Sequence, residues 1–180
     1  MFNQKSSGDS DQSALKFLSQ NPAISRLLFA DCGNDISRVA TIIEPVLNAS
    51  KRCEISAYYV QAIAMGHSAF LTTNLPEASH TIVTEFSTNW LIGRSRTCAI
   101  SIPNTSISRC HAVISYCPER GFNIMDVGSS NGTFVNRRRL QAQVPCQLYD
   151  GDLIELSHTC IEFFLSGWQA AIRSVEETAV

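Results

Sequence analysis

The stretch GSSNGTFVN, from Gly128 to Asn136, sets two glycines, two serines, two asparagines and a threonine around a single apolar pair. Glycine and asparagine are ordinary turn formers, because both accept backbone conformations that most residues avoid. Turn chemistry alone does not call for the paired serines. A second polar loop, NTSISRCHA, runs from Asn104 to Ala112. Around both loops the chain alternates short β-type runs with turn residues: TIVTEFS, WLIGR, AISI, HAVISY, GFNIMD, TFVN, DLIEL and CIEFFL. Closely spaced short strands of this kind predict an all-β sandwich over residues 80–165.

The upstream half has a different period. Asn21 followed by Pro22 reads as a helix N-cap with proline at the first helical position, and Ile24, Leu27 and Leu28 repeat at helical spacing before Gly33. Asn34 is a candidate cap for a second stripe, formed by Ile36, Val39, Ala40, Ile43, Val46 and Leu47, which Pro45 interrupts, so a kink or break is expected near Glu44. Ser50 would then cap a further helix carrying Ile55, Tyr59, Ala62 and Ile63, and a weaker helix covers Ser13 to Ser19. The expected organisation is α + β and multidomain. A short helical bundle over residues 1–66, its first ten or so residues disordered, is followed by a linker at 67–79, the sandwich at 80–165 and a tail at 166–180. In that tail Trp168, Ile172 and Val175 allow a helix.

Composition narrows the function classes. The 180 residues are 44% hydrophobic and 17% charged, with a formal net charge of −2. That is an ordinary globular balance without the basic footprint of a nucleic-acid binder. The longest apolar stretch, Ile55 to Met65, is too short to span a membrane, and the polar start MFNQKSSGDSDQS has no apolar core of a signal peptide. The expected location is cytoplasmic. Seven cysteines without a Cys-x-x-Cys pair argue against a zinc site or a disulfide framework and for reduced thiols. No metal and no cofactor are expected. Ser108 and His111 lie three apart, but there is no nucleophile elbow, and Asp126 and Asp150 read as turn residues rather than as an orienting acid, so an enzyme is not expected. Neither a Gly-x-x-x-x-Gly-Lys loop nor a Gly-x-Gly-x-x-Gly fingerprint occurs.

The cations are divided unevenly. Between residues 80 and 165 every one is arginine, namely Arg94, Arg96, Arg109, Arg120, Arg137, Arg138 and Arg139, whereas Lys5, Lys16 and Lys51 all lie upstream. Arginine presents a planar fork that matches phosphate. Acids balance these arginines in number, so any attraction for phosphate must come from local placement.

Taken in order, IGRS, SISRCHAVI and DVGSSNGTFVN resemble the landmarks of the forkhead-associated (FHA) domain, over roughly residues 80–165. The resemblance implies a β-sandwich whose loops at one end bind phosphothreonine peptides. It implies that Arg94 and Ser108 contact the phosphate, that Arg109 adds a second positive group, that Ser130 lies beside the phosphothreonine and that Asn131 holds the peptide main chain through its amide. His111 would fix the Ser108 loop, Gly93, Gly128 and Gly132 would permit tight backbone, and Asn136 would stabilise a turn. The implied partner is a protein phosphorylated on threonine by a Ser/Thr kinase, with no nucleic acid and no membrane insertion, in a signalling adaptor.

One departure from the pattern is Arg137, where an Asn-Gly turn is common in the family; the hairpin there is uncertain on sequence grounds. The arginine run reads as a solvated edge or as a reader of acidic residues flanking the phosphothreonine. Cys110, between Arg109 and His111, reads as a variable loop position or a redox-sensitive thiol. Two alternatives to phosphopeptide capture stand beside it: a phosphate-independent interaction scaffold, and a protein whose helical half carries the main function, for instance by self-association.

Overall fold

The computed structural model describes residues 7–77 and 81–166. The expected helix in the tail lies outside the described residues. The chain divides into two compact units, Met1–Ala49 and Ser50–Val180.

The first unit is helical. Helix α1 spans Ser7–Gln20, α2 spans Pro22–Asp31 and α3 spans Ile36–Arg52. Residues expected to be disordered therefore begin α1 at Ser7. Asn21 stands at the α2 N-cap with proline after it, but its side chain makes no capping bond. Its amide reaches back to the Phe17 carbonyl at 2.9 Å. The cap of α3 is Asp35 rather than Asn34: the Asp35 carboxylate accepts the Ser37 N–H at 2.9 Å and the Arg38 N–H at 3.3 Å. A carboxylate takes up orphan N–H groups and also favours the positive end of the helix dipole. Pro45 does not end α3. Its buried stripe, Val39, Ile43, Val46 and Ala49, continues past the proline at helical spacing, and burial of Val46 and Ala49 offsets the one missing backbone bond.

The second unit is a two-sheet sandwich, with twelve strands among the described residues. They are β1 Tyr59–Met65, β2 Ser68–Thr73, β3 Ile82–Val83, β4 Asn89–Gly93, β5 Ile100–Ser101, β6 Ala112–Cys117, β7 Gly121–Asp126, β8 Thr133–Val135, β9 Arg138–Arg139, β10 Cys146–Gln147, β11 Asp152–Leu156 and β12 Thr159–Ser166. One sheet has the order β3-β2-β1-β12-β11-β8-β9 and the other β10-β7-β6-β4-β5. Strands such as β6 and β11 alternate buried and partly exposed residues, as a half-buried pleat requires. Their inner faces meet in one core that includes Val60, Leu71, Trp90, Ile114, Phe122 and Phe163.

Two expectations fail at the start of this unit. The helix expected beyond Ser50 does not form: Ser50 is inside α3, and Tyr59–Met65 is a strand paired in parallel with β12 and antiparallel with β2. The spacing of Tyr59, Ala62 and Ile63 fits a helix, but the run YVQAIAM is short, and a short apolar run suits either state. The stretch taken as a linker contains β2. Register pairs Met65 with Ser68, so Gly66 and His67 form a two-residue hairpin turn, the Gly-X signal that joins adjacent strands.

The entry to β1 is held by a buried acid. The Glu162 carboxylate accepts the N–H groups of Glu54 (2.9 Å), Ile55 (2.8 Å) and Ser56 (2.7 Å). Nearby, Arg52 pairs with Asp150 at 2.8 Å and lies 4.2 Å over the Phe164 ring. No helix among the described residues is long and apolar enough to cross a membrane.

The β8–β9 hairpin closes in spite of its missing glycine. Val135 pairs with Arg138, leaving Asn136 and Arg137 as the turn, with φ of 50° and 67°. Two positive φ values are the signature of a type I′ turn. Asn136 accommodates this and is tied to β11: its amide donates to Asp152 at 2.8 Å and accepts the Leu153 N–H at 2.9 Å. Arg137 carries the strain, about 1 kcal/mol for a non-glycine residue in this region. Arg137→Gly is therefore expected to raise the chemical-denaturation midpoint by the equivalent of about 0.5 kcal/mol, part of the gain being cancelled by glycine's greater freedom in the unfolded chain. A lower midpoint would refute the strain.

Candidate functional site

The end of β4 and the loop before β6 approach so closely that one position tolerates no side chain. A Cβ at Gly93 would collide with the Arg109 carbonyl oxygen and lie 2.9 Å from its carbonyl carbon. The contact is secured by backbone bonds, from Arg94 N–H to Ser108 O (2.9 Å), from Ser95 N–H to Arg109 O (3.1 Å) and from His111 N–H to Ile92 O (2.9 Å). Arg94 leaves this junction exposed. Its Nε donates to the Ile107 carbonyl at 3.2 Å, which orients the guanidinium. Among the described residues its terminal nitrogens have no partner.

His111 is fully buried and joins the two polar loops. Its Nδ1 accepts the Ser108 N–H at 3.1 Å, and its Nε2 lies 3.1 Å from the Gly132 carbonyl. A nitrogen that accepts an N–H carries no proton, so Nε2 bears the hydrogen and donates to Gly132. Further bonds link the same loops. Ser108 Oγ accepts the Ser130 N–H at 3.0 Å, and the Asn131 amide donates to the Ser106 carbonyl at 2.7 Å. The Ser106 turn is shaped by Asn104, whose Oδ1 accepts both the N–H (2.9 Å) and the hydroxyl (2.8 Å) of Ser106.

Asp126 explains the paired serines. Its Oδ1 accepts the N–H groups of Gly128 and Ser129, both at 2.8 Å, and its Oδ2 accepts the hydroxyls of Ser129 (2.6 Å) and Thr133 (2.7 Å). Ser129 Oγ in turn accepts the Gly132 N–H at 2.9 Å. Ser129 thus turns inward and shapes the loop, while Ser130 and Asn131 are exposed at its tip. Burial by itself pushes the Asp126 carboxyl up. The Ser129 and Thr133 hydroxyls and the two N–H groups outweigh that and hold it down at about 2.

Arg94, Ser95, Ser108, Arg109, Cys110 and Ser130 line one open pocket of about 580 Å³. Among the described residues no carboxylate lines it. Four of the five residues expected at the peptide site therefore share one cavity, and the fifth, Asn131, lies beside Ser130 on the neighbouring loop. The five expected as support surround it differently. Gly93 and His111 fix the backbone of the Ser108 loop beside it, Gly128 and Gly132 are bonded into the Asp126 loop, and Asn136 sits away from the pocket on the β8–β9 turn. Sequence reasoning took Asp126 only as a turn residue and missed Ser129 and Thr133; their spacing from Asp126, three and seven residues, was the available signal. Cys110 is exposed, and the buried Cys98 donates its thiol to the Arg109 carbonyl at 3.2 Å.

Chemically, the pocket offers a guanidinium fork, a hydroxyl whose oxygen is already occupied by an N–H, and a second arginine. Such convergent, partly charged donors suit a compact oxyanion. The FHA domain family model matches residues 90–157. Human kanadaptin is 30% identical over 87 residues, which cover 43% of this chain and 12% of that protein. Human sarcolemmal membrane-associated protein is 33% identical over 89 residues, 38% of this chain and 11% of that protein. The matches thus span only about an eighth of each curated relative. An FHA domain solved in a structural and functional study of phosphothreonine-dependent FHA domain interactions is 30% identical, covering 52% of this chain and 91% of its own, with a TM-score of 0.42.

Proposed function

The chain carries a forkhead-associated domain, and on that premise we propose that it is a phosphothreonine-peptide-binding adaptor that recruits a partner phosphorylated by a Ser/Thr kinase. The observation that carries this reading is the meeting of Arg94, Ser108, Arg109 and Ser130 around one pocket that, among the described residues, no carboxylate lines. A phosphate dianion entering there would meet the terminal nitrogens of Arg94, already aimed by the Nε bond to Ile107. Ser108 Oγ accepts the Ser130 N–H, and its hydroxyl, which donates a long bond of 3.5 Å to Ser130 Oγ, would turn to donate to the phosphate. Arg109 would add charge from the same loop. Asn131 spends its amide N–H on Ser106 and keeps its carbonyl oxygen for a peptide N–H.

Threonine would be preferred to serine by burial of one methyl group, worth about 1 kcal/mol. No step of bond making or breaking is needed, so the protein acts by capture rather than catalysis. The reading places it in a reducing compartment, the cytoplasm, where its seven cysteines remain thiols.

The test is calorimetric titration of the whole chain with one peptide library in phosphothreonine, phosphoserine and unphosphorylated threonine forms. The phosphothreonine form is expected to bind, the phosphoserine form to bind about fivefold more weakly, and the unphosphorylated form not at all. Equal binding of the phosphorylated and unphosphorylated forms would replace this reading with a phosphate-independent scaffold.

A further inference from the structure

Among the described residues, six arginines of the FHA half form no ion pair. Arg94, Arg96, Arg109, Arg137, Arg138 and Arg139 are all exposed, and among the described residues the ion pair formed is Arg52 with Asp150. Two acids of the same half are engaged elsewhere. Asp126 is saturated by four donors, and Asp152 accepts from the Asn136 amide and the Tyr149 N–H.

Arg139 is the member of the β8–β9 run with a defined place. A Cβ built on Gly132 would lie 2.8 Å from Arg139 Nε and 3.2 Å from its Cζ. The guanidinium also stands 6.0 Å over the Phe134 ring. Gly132 has φ of +86°, so the loop geometry itself favours glycine there, and the missing side chain admits the guanidinium. Arg139 therefore lies next to the Asn131–Gly132 backbone, the segment to which the peptide main chain is assigned.

The turn before it adds a second observation. Arg137 occupies a left-handed position at φ 67°, where glycine would be free of strain. A residue that breaks a local rule without structural return points toward function.

We infer that Arg139, with Arg137 and Arg138 extending its positive field, reads acidic side chains flanking the phosphothreonine, so that the ligand class is an acidic phosphothreonine peptide. This rests on the phosphopeptide reading and narrows it. A planar fork braced by an aromatic ring is suited to a carboxylate, and charges at the rim of an interface select partners more than they anchor them.

The experiment is titration of the whole chain with three phosphothreonine peptides that differ only in flanking residues, which are Glu/Asp, Ala or Lys. The acidic peptide is expected to bind about fivefold tighter than the Ala peptide, the size of one exposed ion pair, and the Lys peptide more weakly still. The gap should close as added salt screens it. Arg139→Gln should erase the gap and leave affinity for the Ala peptide unchanged, which also certifies the fold of the variant. Equal affinity for acidic and neutral flanks, or an Arg139→Gln variant that weakens both peptides alike, would overturn the inference and leave the phosphothreonine reading standing. Failure of all three peptides would remove both.

Discussion

Arg94→Ala is expected to abolish measurable capture of a phosphothreonine peptide while leaving the thermal midpoint nearly unchanged. The side chain is exposed and makes one hydrogen bond, from Nε to Ile107 O, so its loss removes little from the folded state. Its loss from the complex is of another order. A phosphate leaving water needs charge-assisted partners, and truncating one member of such a pair costs about 2–5 kcal/mol, at least about thirtyfold in Kd. Arg109 offers a second charge on the pocket wall but stands on a different loop. Its guanidinium is not anchored as Arg94 is, and it cannot supply the same fork without paying orienting entropy. Arg94→Lys separates charge from shape: a lysine would restore the charge without the bidentate geometry and is expected to recover only part of the affinity. Wild-type binding by Arg94→Ala, measured calorimetrically, would move the phosphate site elsewhere.

How much of this was readable without coordinates depends on the range of the interaction concerned. The residues that meet at the pocket stand 14 and 22 positions apart along the chain, from Arg94 to Ser108 and from Ser108 to Ser130. They were recognisable because a family pattern joins them, not because local periodicity does. Helices with long stripes, such as α3, were readable from spacing. The run at Tyr59 was not, because an isolated apolar heptamer fits two periods, and its choice of strand depends on pairing with β12, about a hundred residues away. The Gly66–His67 turn, by contrast, was a local signal that could have identified β2. Arg139 marks the opposite limit. In sequence it belongs to a charge run, whose usual place is a solvated edge, and only the folded hairpin brings it against Gly132.

The second large effect is expected at Asp126, and it is one of stability with binding following. Asp126→Ala leaves two N–H groups and two hydroxyls without their acceptor in a site where the aspartate is only 3% exposed. Unsatisfied buried donors cost about 1–3 kcal/mol each, though the two hydroxyls can turn toward other acceptors. A loss of about 3 kcal/mol is expected in chemical denaturation. Asp126→Asn is milder, because its carbonyl can replace Oδ1 at the two N–H groups while its amide donates to the Ser129 and Thr133 hydroxyl oxygens. It still loses the charge, and the charge is what pH can test. The folded carboxyl titrates at about 2, below its usual 3.8. A depressed acid contributes stability that is fully present above about 3.8 and is lost as pH falls through about 2. The shift corresponds to about 2 kcal/mol. The stability gap between wild type and Asp126→Asn is therefore expected to be about 2 kcal/mol larger at neutral pH than near pH 2, other titrating groups being common to both proteins. A gap independent of pH would mean that the carboxylate charge does not hold the loop. If it does hold the loop, Ser130 and Asn131 lose their fixed positions in Asp126→Ala, and phosphopeptide affinity falls with stability even though Asp126 does not line the pocket.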